Sequence, residues 1–290
     1  MSESAGLSST ASAGNVEAEV FYSVEDLGAV ARRLRRHIVT MIGEAGSGHP
    51  GGSLSAVEIV TLLYFKLMRH KPADPQWPGR DRFILSKGHA APLLYAALAE
   101  CGYFPVDELH TLRKVDSRLQ GHADRTHTPG VEMSSGSLGQ GLSFAVGTTL
   151  AGRLNAESHQ VYVLLGDGEC DEGQVWEAAM AAAHFKVDNL VAIVDNNRLQ
   201  IDGWNCDVMN LEPFGKKWQA FGWHVIEVDG HDFAMLADAF TKAKLVKGQP
   251  TVIIARTVKG RGVSFMENKA IFHGKAPSAA EVEIALKELE

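Results

Sequence analysis

Cysteine is scarce in this chain of 290 residues: Cys101, Cys170 and Cys206 are too few and too scattered for a disulfide framework or a zinc site. A reducing, cytoplasmic setting is therefore expected, and Cys170 reads as a small passive residue rather than a nucleophile. Basic clusters are missing too, and a net charge of −7 argues against nucleic acid or an anionic membrane as the main partner. The first nineteen residues, MSESAGLSSTASAGNVEAE, have neither the basic start nor the apolar core of a secretory signal, and residues 1–19 read as a disordered tail. No fixed-period repeat occurs, and low complexity is confined to that tail. What is present, 45% apolar and 22% charged residues, suffices for one large α/β domain or two small ones within residues 20–290.

The most informative stretch runs from Val161 to Gly203 and places Asp167 thirty residues before Asn197. VYVLL and LVAIV are β-branched apolar runs suited to strands buried on both faces, and the alanine-rich WEAAMAAAHF between them favours a helix. Together they form a βαβ crossover, and right-handed connection brings both strand ends to one sheet edge. Ligands bind at that edge in open α/β sheets. Asp167 offers a carboxylate there, Asn197 an amide oxygen and the irregular backbone at Arg198-Leu199 a carbonyl, a donor set suited to a hard cation such as Mg²⁺. Gly166 and Gly168 let the chain approach a diphosphate, and a helix beginning near Glu172 can turn free N–H groups toward it. Taken singly, GDG and NN are ordinary turn signals; at two strand ends of one crossover they point to a metal-bound diphosphate.

Around this unit the pattern predicts an amphipathic helix over residues 24–42 and a glycine-rich loop, AGSGHPGGSLS, over residues 45–55. A second helix follows over 55–68, then a short strand, FILS, and a buried helix after SKGHA. A long irregular segment from Gly121 enters an apolar helix at about Leu138, and a loop of that length in a compact domain is usually functional. Beyond the crossover come an amphipathic segment with Phe214, Trp218 and Phe221, the strand WHVIEVDG, a helix from Asp232 to Val246, the strand TVIIARTV and a terminal helix EVEIALKELE. The order predicts an α/β fold with a doubly wound, mainly parallel sheet and helices on both faces. Five of the twelve histidines, His49, His89, His122, His231 and His273, lie next to glycine in turns or irregular segments. Each alone reads as structural; several around one sheet edge can bind oxyanions and move protons.

These residues carry a resemblance to the N-terminal, diphosphate-binding domain of transketolase. Its marks are GSGHPGG at residues 46–52, RDRFILSKGHAAPLLYAAL at 80–98, GH at 121–122, GSLGQG at 136–141, GDG with NN thirty residues later, QIDG at 200–203, VDGHD at 228–232 and HGKAP at 273–277. That family uses thiamine diphosphate to cleave a ketose and pass its two-carbon unit to an aldose. The resemblance implies a divalent metal, Mg²⁺ or else Ca²⁺ or Mn²⁺, on Asp167, Asn197 and the carbonyl of Leu199, with Gly168 and His89 against the diphosphate. It implies further that the backbone at Gly136 and Leu138 receives the aminopyrimidine and that Ile201 packs on the cofactor rings. His49, His122 and His273 would line the substrate channel, and Glu172 would lie at a subunit interface, coupled to the activating carboxylate.

Two departures matter. Ser137 stands where many members have proline, a change in loop rigidity that should leave the Leu138 backbone contact available. A full transketolase also continues into a pyrimidine-binding domain with the activating glutamate and into a third domain. The chain is therefore expected to be the N-terminal subunit of a split transketolase, working on sugar phosphates with a separate C-terminal subunit, as an α2β2 heterotetramer. The thiamine-binding subunit of a 2-oxoacid dehydrogenase is an alternative disfavoured by the histidine motifs, and a deoxyxylulose-phosphate synthase fits QIDG and HGKAP less well. A non-enzymatic half that only stabilises a partner is disfavoured by the retention of Asp167, Asn197 and Glu172.

Overall fold

A computed structural model describes residues 22–290, so the expected tail at 1–19 lies outside the described residues. Helix α1, Val24–Ala45, begins with a capping box in which Ser23 and Asp26 exchange side-chain and backbone hydrogen bonds. Its stripe of Leu27, Val30, Ala31, Leu34, Ile38 and Ile42 is buried, and it stops at Gly46, whose left-handed backbone (φ 60°) is open to glycine at no steric cost. Helices α2, Pro50–Ser55, and α3, Val57–Leu62, follow in succession.

Five strands form one parallel sheet: β1 Arg82–Leu85, β2 Val161–Gly166, β3 Leu190–Asn196, β4 His224–Asp229 and β5 Thr251–Arg256, in the order β1-β2-β3-β5-β4. The connecting helices are α4 Ala91–Glu100, α5 Gln140–Leu154, α6 Gly173–His184, the short α7 Asn205–Val208, α8 Phe214–Ala220 and α9 Phe233–Leu245, and α10 Ala279–Glu288 closes the chain. Strand residues alternate between two cores, as the period of two requires. Tyr162, Leu164, Val191, Ile193 and Ile253 pack with α1, α3, α4 and α9, whereas Val163, Leu165, Ala192, Val194 and Ile254 pack with α5, α6 and α8. Burial on both faces explains why β2, β3 and β5 read as unbroken apolar runs.

Three boundaries differ from the sequence reading. Residues 50–55, expected as loop, are helical, because Pro50 supplies a helical φ at the first turn and the glycines allow tight packing. A Cβ on Gly51 would sit 2.9 Å from the Phe272 carbonyl oxygen, and one on Gly52 2.9 Å from His89 Nε2, so the close approach expected of this segment is real. The single helix expected over 55–68 is interrupted at Ala56 and widens into a π turn over Leu63–Leu67, where the Met68 N–H bonds the Leu63 carbonyl at 2.9 Å. Helix α5 begins at Gln140 rather than near Leu138, since Gly139 at φ 84° forms its start.

Candidate active site

The C-terminal ends of β2 and β3 lie side by side, with Gly166 paired to Asp195. Asp167 follows β2, is 2% exposed, and accepts the N–H of Gly168 at 2.8 Å and the N–H of Arg198 from the neighbouring strand end. Asn197 follows β3; its Oδ1 accepts the Leu199 N–H at 3.1 Å and its Nδ2 donates to Asp195 at 3.1 Å. Arg198 adopts φ 63°, a left-handed conformation that folds the Asn197–Leu199 turn back toward Asp167. The thirty-residue spacing is therefore a contact. Gly168 leaves room beside Gln200, whose Cβ would lie 3.1 Å from an added Cβ.

Beneath this turn lies a charge network that sequence reasoning missed. Lys87 and Asp195, 1% and 0% exposed, form a buried ion pair. Asp195 also accepts from Ser55, Thr257 and Asn197, while Lys87 donates to the Gly52 carbonyl at 2.8 Å. Burial alone would raise the Asp195 pKa, but Lys87 and the hydroxyls hold it below the ordinary carboxylate value. Lys259 donates to the Leu199 carbonyl at 2.7 Å and to His273 Nδ1 at 2.9 Å. Burial, and then the neighbouring Lys87, bring the Lys259 pKa down to about 8. The VDGHD mark braces this lysine: His231 Nε2 accepts the Val258 N–H at 2.9 Å, and its Nδ1 faces Glu58 at 3.0 Å, which Arg35 grips with one guanidinium nitrogen. The missed signals were single polar residues in apolar surroundings, Lys87 after FILS and Asp195 at the end of LVAIV; their burial has no sequence signature.

Four of the five glycine-flanked histidines converge. The His49 ring lies 5.5 Å from His89, 5.9 Å from His122 and 5.5 Å from His273, and His89 lies 5.0 Å from His273, between ring centroids. Burial is the main reason that all four are less basic than usual, with His49 at about 4 and His273 at about 3. Arg113, then His122 and Lys259, add to the effect on His49, and Lys259, His49 and Lys87 to that on His273. All four rings are therefore neutral near pH 7. With Lys259 donating to its Nδ1, His273 carries its proton on Nε2. His49 Nδ1 is buried without a hydrogen-bond partner.

The remaining expected residues sit at the rim. Gly136 is exposed beside His122, Leu138 is half-buried, and Ile201 is 64% exposed on the turn after Asn197. Glu172 is the exposed residue preceding α6, packed against Gly139, where an added Cβ would stand 2.8 Å from the Glu172 Cβ. Glu169, also missed, ties these loops together: it accepts N–H groups from Gly139 at 3.0 Å and Gly166 at 2.9 Å and a hydroxyl from Ser86. Gly139→Ala combines a left-handed φ with that clash, so it is expected to cost about 1–3 kcal/mol, read from a urea melt.

The donor chemistry fits a hard divalent cation. Asp167 is a buried carboxylate with no ammonium or guanidinium paired to it among the described residues; burial, and then Asp195, raise its pKa to about 6. The Leu199 carbonyl already takes the Lys259 ammonium, so it faces the site and accepts positive charge. Among the described residues no three His, Cys, Asp or Glu side chains converge as a metal site. One carboxylate, one amide and one carbonyl therefore suit a cation that completes its coordination with phosphate oxygens and water.

Fold and site together define an α/β domain whose parallel sheet carries, at its carboxyl edge, glycine turns and oxygen donors suited to a metal-bound diphosphate. Residues 28–289 match the transketolase thiamine diphosphate binding domain, and the chain belongs to that family. It is 46% identical over 265 residues to a 6-deoxy-6-sulfo-D-fructose transketolase subunit of Clostridium sp., covering 91% of this chain and 96% of that relative. It is 44% identical over 269 residues to one of the subunits of the apulose-4-phosphate transketolase of Actinobacillus succinogenes, covering 92% and 97%. Among solved structures, transketolase from Campylobacter jejuni superposes with a TM-score of 0.87 at 32% identity, covering 92% of this chain and 43% of that one. The chain thus spans less than half the length of that transketolase. Among the described residues no helix is long and apolar enough to cross a membrane.

Proposed function

We propose that the chain is the thiamine diphosphate-binding subunit of a split transketolase, cytoplasmic and working in an α2β2 assembly with a C-terminal subunit. The observation that carries this reading is the meeting, at one sheet edge, of a cation-deficient oxygen site at Asp167 with a neutral histidine cluster. Asp167, Asn197 and the Leu199 carbonyl hold Mg²⁺, or Ca²⁺ or Mn²⁺ with the same donors, while Gly168 and His89 face the diphosphate. Lys259, which donates to the Leu199 carbonyl at 2.7 Å, would offset diphosphate charge once the group is bound. Gly136 and Leu138 present main-chain groups to the aminopyrimidine, and the exposed Ile201 packs on the cofactor rings.

When bound, thiamine diphosphate supplies the nucleophilic carbon with which a ketose is cleaved and its two-carbon unit carried to an aldose. The protein supplies the proton handling. His273 donates from Nε2 and His49 offers a neutral imidazole, so both can bind sugar oxygens and exchange protons with them, with His122 as a third neutral ring on the channel wall. The exposure of Glu172 at the start of α6 supports its role at the subunit interface, coupled to the partner's activating carboxylate. Relatives named for a sulfonated ketose and for a phosphorylated ketose support an oxyanion-bearing sugar as substrate.

Ketol transfer with thiamine diphosphate and Mg²⁺ tests the reading. The chain purified alone is expected to show no turnover, and the chain mixed with its C-terminal subunit full turnover. Full activity of the isolated chain overturns the split arrangement, and an inactive pair favours a purely structural role.

A further inference from the structure

Lys259 is buried with no carboxylate partner among the described residues: Asp195 is taken by Lys87, and the Lys259 ammonium bonds the Leu199 carbonyl and His273. A lysine stem is long and flexible, so fixing its ammonium depends on fixing the backbone that carries it. Lys259 is the second residue of a four-residue turn over 258–261, closed by the Arg261 N–H on the Val258 carbonyl at 3.1 Å. Gly260 stands third with φ 81°, a left-handed value that glycine takes at that place of a turn without steric cost.

One arginine holds both ends of this turn. Arg35 of α1 donates from Nε to the Arg261 carbonyl at 3.0 Å, and from Nη2 to the two oxygens of Glu58 on α3 at 2.7 and 2.9 Å. Glu58 in turn faces His231 Nδ1 at 3.0 Å, and His231 Nε2 accepts the Val258 N–H at 2.9 Å. Because Nε2 receives an N–H, the ring proton sits on Nδ1 and is donated to Glu58, so every link joins one donor to one acceptor. Arg35 and Glu58 are 6% and 7% exposed. Burial alone would raise the Glu58 pKa, but His231 and Arg35 hold it below the ordinary carboxylate value. An ion pair this deep is a weak source of net stability, since desolvation offsets the attraction, which leaves the placing of the turn as its main effect.

We propose that Arg35, Glu58 and His231 are positioning residues: acting on the two ends of the 258–261 turn, they set the place of the Lys259 ammonium and with it the affinity of the site for a diphosphate group. This rests on the reading above for the identity of that ligand. The brace is also open to small solutes, because a cavity of about 510 Å³ bordered by His231, Met235, Thr257 and Val258 lies beside the ring.

The test uses the full chain, alone and with its C-terminal subunit, and two probes with Mg²⁺: inorganic diphosphate in calorimetry and thiamine diphosphate in ketol transfer. His231→Ala is expected to weaken diphosphate binding about 10- to 100-fold and to raise the KM for thiamine diphosphate in step, with kcat at saturating cofactor within about threefold. Added imidazole, entering the space left by the ring, is expected to restore most of the affinity, and His231→Gln, which still offers the Val258 N–H an acceptor, part of it. Glu58→Gln is expected to weaken binding as His231→Ala does; should it fail to fold, the His231 variants carry the test. Affinity within about twofold of the unsubstituted chain overturns the proposal. So does a loss that neither imidazole nor glutamine relieves, or a lower urea midpoint with kcat and affinity falling together, since a merely structural brace predicts those. If the unsubstituted pair binds diphosphate but transfers nothing, the transketolase reading fails, and the diphosphate affinities of the variants still decide the brace.

Discussion

Asp167→Ala is expected to abolish the Mg²⁺-dependent part of thiamine diphosphate binding, a loss on the order of 100-fold or more, since even outer-sphere changes at metal sites cost about 10- to 100-fold. The loss has two physical sources. The variant removes the single carboxylate among the three proposed oxygen donors, and without a metal the exposed carboxylates Asp171 and Glu172 oppose the charge of the diphosphate. Titration of thiamine diphosphate at fixed Mg²⁺ reads the effect, and unchanged affinity refutes the metal assignment. Stability of the metal-free protein separates this from misfolding. The folded-state pKa of Asp167, about 6, lies above the ordinary carboxylate value, so its contribution to stability is complete below that ordinary value and is lost as pH rises through about 6. Asp167→Asn, which keeps an acceptor for the Gly168 and Arg198 N–H groups, is therefore expected to leave the metal-free protein at least as stable at pH 8 while still losing metal-dependent binding. A lower melting temperature for Asp167→Asn at pH 8 shows that the carboxylate is structural.

Lys87→Met has the largest expected effect on folding. It leaves Asp195 fully buried without its ammonium, a situation that costs about 3–5 kcal/mol when one partner of a buried pair is removed. Removing both charges in Lys87→Met/Asp195→Asn is expected to restore much of that loss, because Ser55, Thr257 and Asn197 can still bond an uncharged amide. Urea unfolding of the two variants measures the difference. A cost below about 1 kcal/mol for Lys87→Met means that water reaches Asp195 and that the pair is not a buried strut.

Much of the site was legible in the chain because local patterns carried it. VYVLL and LVAIV announced strands buried on both faces, and parallel connection then placed Asp167 and Asn197 at one edge, where the N–H of Arg198 meets the Asp167 carboxylate. The histidines were legible as a set only through their glycine neighbours, and the structure brings His49, His89, His122 and His273 together while using His231 as a brace for the Lys259 loop. Lys87, Asp195 and Lys259 were not legible. A lysine in sequence is normally a solvated surface residue, and only the packing of α2 and of the segment after β5 encloses these.

By itself the sequence determined the parallel α/β order, the crossover that pairs GDG with NN, and the family, since these depend on periodicity, turn chemistry and fixed spacing along the chain. Tertiary structure alone decided that Pro50–Ser55 winds into a helix, which histidines come together, and that Lys87 and Lys259 are buried beneath the strand ends that carry Asp167 and Asn197. The physical reason is that burial and charge pairing arise between segments far apart in the chain, so no local pattern encodes them.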